Sequence, residues 1–490
     1  MLLTCTLLAF LLCPSSPEAE GVSSRKVLQW LDACDRDIDY LHGFVFLRHG
    51  KLIAEGTWAP CDTLNQPHLL SSHSKCFITT AIGFLVEDGK LDLDEPVIDI
   101  LADKAPAKPS RNLVRLRVRD LLTMTLGSTR NEGWKNDRDG DWVKAILANE
   151  IDRTPGTAYK YDSGATHLLG AIIERKSGQP LMKFLKNRLF DRIGIEKAWT
   201  TYDPTGQACA AWGLHMTTRE ISLIGQLYLD KGVWNGTRLL SSDWVDLATT
   251  KQTHSGKDFN DRDKNGRNDW LLGFGLNFWR CQHGCYRADG WGGQYTIVFP
   301  EHDAVLSINA DVVNMQHILD VVWEHFIPVF SPAALPEDRE AAAALRMRCA
   351  NLSLPPVAGK PDGGDAFLGR DYEFKSGPGS VKSVRLDKAA KGWTLQIKTG
   401  SGEYKVPVGF GGWECSTMRF SARNHEPLGE IVGDQRIATS AAVQDDGSIR
   451  LRMHLIDGIH RMDLHFCKRL FRPTVEGGMF CIGEFKVAGW

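Results

Sequence analysis

The chain has 490 residues, too many for one ordinary domain, so two or three are expected. Hydrophobic residues make up 43% and charged residues 24%, a globular balance. Lys plus Arg total 58 and Asp plus Glu 60, and no basic run is dense enough for a surface that binds nucleic acid.

The first segment, Leu2 to Cys13, is apolar and gives way to small and polar residues. This suits the apolar part of a signal peptide and is too short to span a bilayer. Residues 1–20 are therefore expected to be a leader, and the protein to be secreted or periplasmic. No second long apolar run follows, so no stable membrane span is expected. The ten cysteines beyond Cys5 and Cys13 are compatible with disulfides, and Cys281 and Cys285 are close enough to close a small loop. Cys281, His283 and Cys285 lack the second ligand pair of a zinc site.

Val22–Tyr40 predicts an amphipathic helix with Val27, Leu28, Leu31 and Ile38 on its apolar stripe. Two alternating runs around His49-Gly50-Lys51 predict a β-hairpin. Ser72–Asp88 is apolar and ends at Gly89, which predicts a buried helix. Further helices are expected from Val118 to Met124, Gly164 to Lys176 and Thr217 to Lys231. Strands follow at Leu272–Phe278, Tyr295–Val298 and Ala304–Asn309, then a helix at Val312–Phe330. Strands at both ends of a helical middle predict one α/β domain over 21–330 whose sheet closes with its last segments. Residues 331–365 are proline-rich and read as a linker, with a short helix at Ala341–Ala350. From 366 to 490, short alternating runs separated by Gly, Asp and Asn predict an antiparallel all-β sandwich or barrel.

Three motifs carry chemistry. Ser72-His73-Ser74-Lys75 opens a buried helix, where positions i and i+3 share a face, so the hydroxyl and the amine can meet. A serine hydroxyl becomes a good nucleophile only when a base takes its proton. The helix start also offers free backbone N–H groups to an oxyanion. Tyr159-Lys160-Tyr161 precedes Asp162-Ser163 and a helix, and a tyrosine beside an ammonium can shuttle protons. In Asp289-Gly290-Trp291-Gly292-Gly293-Gln294, three glycines permit close backbone approach at a strand start.

The order and spacing of these motifs resemble the serine β-lactamase and penicillin-binding-protein superfamily. The flanking blocks KCFITTAIGFLVEDGKLDLDEPV, YDSGATHLLGAIIERKSGQPL and DGWGGQYTIVFPEHDAV are most similar to the branch with 6-aminohexanoate-dimer hydrolases and related esterases. The resemblance covers roughly residues 24–330. It implies an α/β (α+β) fold with an antiparallel sheet and a helical subdomain, followed here by the smaller all-β domain. It also implies that Ser72 is the acylated nucleophile, Lys75 its base and Tyr161 the acid/base for the leaving group. The N–H groups of Ser72 and Gln294 would form the oxyanion hole, with Ser163, Trp291, Gly292 and Gly293 at the substrate. No metal or cofactor is needed for this chemistry, and the partner is a small ester or amide.

Two departures narrow the substrate. Ser163 stands where the family usually has Asn, and Trp291 where it has the Lys or His that recognises a carboxylate. A β-lactam or D-Ala-D-Ala peptide is therefore disfavoured against an ester or compact amide, and a silent scaffold of the same fold is the reading from another class. Lys398-Thr399-Gly400 spells the usual third motif, but a hairpin turn in the β region explains it. Asp261, Asp263, Asn265 and Asp269 resemble the front of a calcium loop without its closing Glu. Asn235 and Asn351 head glycosylation sequons.

Overall fold

The computed structural model describes residues 12–129, 140–255, 268–374, 381–389, 392–399, 402–420, 433–467 and 485–487. The apolar Leu2–Leu11 part of the expected leader lies outside them, as do Asp261, Asp263, Asn265 and Gly400.

Helix α1 (Ser24–Asp37) starts where Ser23 accepts a hydrogen bond from the Lys26 N–H, and it buries Val27, Trp30, Leu31 and Cys34. Strands β1 (Leu41–Arg48) and β2 (Lys51–Thr57) form the expected hairpin. Its two-residue turn needs positive φ twice, supplied by His49 (51°) and Gly50 (69°). The sheet is completed far along the chain by β3 (Trp279–Arg280), β4 (Tyr286–Gly290), β5 (Gln294–Phe299) and β6 (Ala304–Ala310). Its order is β2-β1-β6-β5-β4-β3, antiparallel throughout. β1 is therefore an inner strand, and its eight residues are all buried.

Helix α2 (Lys75–Glu87) is buried from Lys75 to Leu85, as expected for a helix without a polar face. Helix α3 (Ser163–Ser177) stops at Gly178 in the left-handed region. Helix α4 (Thr218–Leu229) begins with a Thr217/Glu220 capping box and lies on the sheet. There Gly225 is so close that a Cβ would fall 2.5 Å from Thr296 Cγ2. Helix α5 (Met315–Val321) continues through a wider turn and a tighter one to Val329.

The structure corrects three expectations. Leu272–Phe278 is not a strand: Gly273 (φ 128°) and Asn277 (φ 59°) break extended backbone, leaving two isolated bridges at Phe274, to Thr253 and to Trp279. The front of the Ser72 helix is a separate 3-10 turn. The cysteines of the described residues, Cys281 and Cys285 included, are all free thiols. Cys281 Sγ instead accepts from Arg287 Nη1 at 3.1 Å.

Within the expected leader, the Ser15 N–H donates to Leu52 O at 3.0 Å, and the Glu20 carboxylate takes Lys51 and His49. The linker is a packed strap. Its helix (Arg339–Ala350) and Leu352 and Leu354 bury into the main core, and Lys360 exchanges two 2.9 Å backbone bonds with Val443.

The C-terminal region is one curled sheet with its own core of Leu386, Leu395, Val406, Ile437 and Leu451. Strands β7 (Gly433–Val443), β8 (Ile449–Leu455) and β9 (His460–Phe466) form one end. Asp371–Phe374 lies near the other, yet the Tyr372 and Phe466 rings meet at 5.0 Å, which marks the curl. Lys398 pairs with Glu403, and the Thr399 N–H donates to Gly402 O, so Lys398 and Thr399 of the third-motif look-alike sit at the end of a strand pair of this sheet.

Candidate active site

Ser72 sits on the 3-10 turn Ser71–Ser74, and the residue before it, Ser71, has φ 49°. A left-handed serine is strained and must be held by its surroundings. Ser74 Oγ donates to Ser71 O at 2.7 Å and accepts from the Leu214 N–H at 3.2 Å. The Leu70 N–H donates to Leu214 O at 2.9 Å.

His73 points inward. Thr296 Oγ1 donates to Ile221 O (3.1 Å), so the His73 Nε2–H donates to Thr296 Oγ1 (2.8 Å). Burial pushes His73 down to about 3, so it is a neutral anchor fastening the turn to β5.

Lys75 is 2% exposed, and its Nζ lies 2.9 Å from Ser72 Oγ and donates to Ala211 O at 2.7 Å. The same Nζ is 5.0 Å from the centre of the Tyr161 ring. Tyr161 is fixed by stacking on Trp279 (5.9 Å, 19°) and by an edge contact with Phe274. The fold thus brings Ser72, Lys75 and Tyr161 together from segments far apart in sequence. Ser163 is buried at the first position of α3, where Asp162 caps the helix by accepting from the Gly164 N–H at 2.8 Å.

The third motif forms the β4–β5 turn, in which Gly290 faces Gln294. A Cβ on Gly290 would sit 2.1 Å from Leu70 O and 3.0 Å from His73 N, so only glycine lets β4 reach the Ser72 turn. The Gln294 side chain is fully used: Nε2 donates to Ala310 O (2.6 Å) and Trp291 O (3.2 Å), and Oε1 accepts from Asn309 Nδ2 (2.9 Å). The side chain therefore fastens the start of β5 to the end of β6. Trp291 is exposed, and Gly292 and Gly293 both have positive φ.

Sequence reasoning missed a buried pair behind the site. Arg287 Nε donates to Asp289 Oδ2 at 2.8 Å, and the guanidinium lies 4.6 Å from the Trp270 ring centre. Burial raises the Asp289 carboxyl to about 6, while Arg287 and the Lys75 charge pull it down. Two charges at alternate positions leading into the glycines of the third motif were the available signal, because alternate strand residues share a face. Asp269, the described member of the calcium candidates, accepts from Gln282 N, Gln282 Nε2, Gln316 Nε2 and Trp323 Nε1, so donors already fill its carboxylate. Among the described residues no helix is long and apolar enough to cross a membrane.

A family profile described as Beta-lactamase matches residues 43–317. The 6-aminohexanoate-dimer hydrolase of Paenarthrobacter ureafaciens is 29% identical over 222 residues, 41% of this chain and 55% of that protein. The chain spans about half the length of the first curated relatives it matches. Among solved structures, SurE with D-Leu aligns with a TM-score of 0.50 at 20% identity, covering 88% of this chain and 97% of that one. A protein of Bacillus anthracis provisionally named as a 6-aminohexanoate-dimer hydrolase has a TM-score of 0.50 at 19% identity, covering 65% and 86%. Both structures share the fold.

Proposed function

Since this chain belongs to the Beta-lactamase family, we propose that it is a serine hydrolase that cleaves an ester or a compact amide through an acyl-enzyme on Ser72. The observation that carries this reading is the 2.9 Å contact between a buried lysine amine and the hydroxyl of Ser72.

Lys75, as the neutral amine, takes the Ser72 proton while Ser72 Oγ attacks the substrate carbonyl. The carbonyl oxygen gains the negative charge and is received by the N–H groups of Ser72 and Gln294. The bond to the leaving group then breaks; Tyr161 gives its proton to that group and takes in its place the one held by Lys75. Water next attacks the acyl-enzyme, its proton passing through Tyr161 to Lys75; the acyl–Oγ bond breaks, Lys75 returns the proton to Ser72 Oγ, and the acid is released. Trp291 offers no cation for a carboxylate, so neutral substrates are favoured over β-lactams and peptides ending in D-Ala.

A fluorophosphonate probe tests this. Mass spectrometry should find its adduct on Ser72, and turnover of short acyl esters should vanish in Ser72→Ala. A folded protein that neither labels nor turns over would make the chain a silent scaffold instead. A penicillin adduct on Ser72 would favour the cell-wall reading. We also propose export, carried by the Leu2–Cys13 stretch. Finding the intact N-terminus on protein kept inside the cell would overturn it.

A further inference from the structure

The turn between β8 and β9, Ile456-Asp457-Gly458-Ile459, belongs to the C-terminal sheet but touches both lips of the candidate site. Asp457 O accepts the Leu69 N–H at 2.9 Å, just ahead of the strained Ser71. At the other end, Ile459 Cγ2 lies 2.9 Å from where a Cβ on Gly292 would stand. Gly292 also has φ 85°, so space and dihedral both demand glycine there.

The turn is held rigidly. Arg436 pairs with the Asp457 carboxylate, and the Ile456 N–H donates to Arg436 O at 3.1 Å. Arg461 Nη1 meets Asp311 Oδ2 at 3.2 Å with both side chains buried. The next residue, Val312, donates its N–H to Gly292 O at 3.0 Å. Ile456 itself joins the main hydrophobic core of the hydrolase domain. The turn is thus a brace between the strand leading into Ser72 and the glycines beside Trp291.

We propose that this turn is the specificity-determining wall of the site. It fixes the spacing of the two lips and closes the cleft on the Gly292 side, so compact uncharged acyl groups enter and long ones are rejected. Ile459 is a positioning residue that acts through Gly292 and Trp291. Arg461 adds no free cation, because Asp311 and Asp463 already neutralise it. The inference rests on the Ser72 reading.

The test uses the full chain and two substrate series, p-nitrophenyl esters from acetate to decanoate and alkyl fluorophosphonates from ethyl to dodecyl. The unmodified protein should prefer the short members. In Ile459→Ala the long-to-short ratio of kcat/KM should rise about tenfold or more, mainly through KM, since Gly292 can then settle into the space the buried side chain leaves and lengthen the cleft by one or two methylenes, which discriminate by about that much. Ile459→Val should move the ratio the same way by a smaller factor, and it serves if Ile459→Ala does not fold. A ratio within twofold of the unmodified protein in the folded variants, with Ser72 still labelled, overturns the wall. If the unmodified protein is labelled at Ser72 by no probe, the hydrolase reading itself fails, and the wall with it.

Discussion

The turn that carries Ser72 and the seam that holds the β domain against it are both buried and polar, but their protons are fixed in different ways. Around Ser72, a chain of donors and acceptors runs from Ser74 to Ser71 and Leu214, and from His73 through Thr296 to Ile221. Across the seam, five buried imidazoles meet: His42, His68 and His215 from the hydrolase domain, His454 and His460 from the β domain. His68 Nδ1 donates to Leu69 O, so its Nε2 accepts from His42 Nδ1 at 2.9 Å. Among the described residues, His42 Nε2 and His454 Nε2 have no hydrogen-bond partner. Burial lowers all five, to about 4 for His68 and about 3 for His215 and His460. The first region is rigid because its bonds are satisfied; the second is tight only while its rings stay neutral.

The largest expected break in this comparison is chemical. Ser72→Ala should lower ester turnover by about 10⁴-fold or more, read in an ester assay, without loosening the fold. The next breaks the seam. Arg461→Met strands the Asp311 carboxyl, already raised to about 7 by burial, and should cost about 3–5 kcal/mol in urea unfolding. An ionised Asp311 is the costly form. The deficit should therefore be largest above pH 7 and shrink as pH falls and Asp311 takes a proton.

Titration sharpens the contrast. Below the ordinary imidazole value of about 6.5, the unfolded chain binds protons that the seam refuses, so stability should fall as pH drops from there toward 4. The slope approaches about 1.4 kcal/mol per pH unit for each proton, measurable by urea unfolding at a series of pH values. A flat profile would mean the rings do not hold the seam. Thr296→Val is smaller. It leaves the His73 Nε2–H without its acceptor, and should cost about 1–3 kcal/mol and lower kcat more than it changes KM. Smallest is Lys398→Ala in the look-alike motif. It removes a surface pair with Glu403 and should change stability by less than about 1 kcal/mol and leave turnover intact.

Much of this was legible in the sequence because its causes are local. The α3 boundary follows from the Gly178 stop, and the β1–β2 hairpin from its Gly50 turn. The Ser72/Lys75 contact follows from their spacing at a helix start. What escaped depends on partners far along the chain. His73 drew no role from the tetrad because its anchor is Thr296, far along the chain, and Lys75 has a second acceptor in Ala211 that no local pattern marks. The Leu272–Phe278 run misled because its apolar residues serve an irregular aromatic shelf, with Phe274 against Tyr161 and Trp279. The seam was invisible because it gathers histidines from five separate strands.

The sheet order has a consequence for biosynthesis. β1 emerges early, yet its inner neighbour β6 is made only after the whole helical middle, and the brace at Asp457 and Ile459 later still. A nascent chain therefore carries Ser72 long before it owns the strand turn beside it or the brace that spaces the two. The two lips acquire their brace only when translation is nearly finished, and a product cut short before Asp457 lacks it.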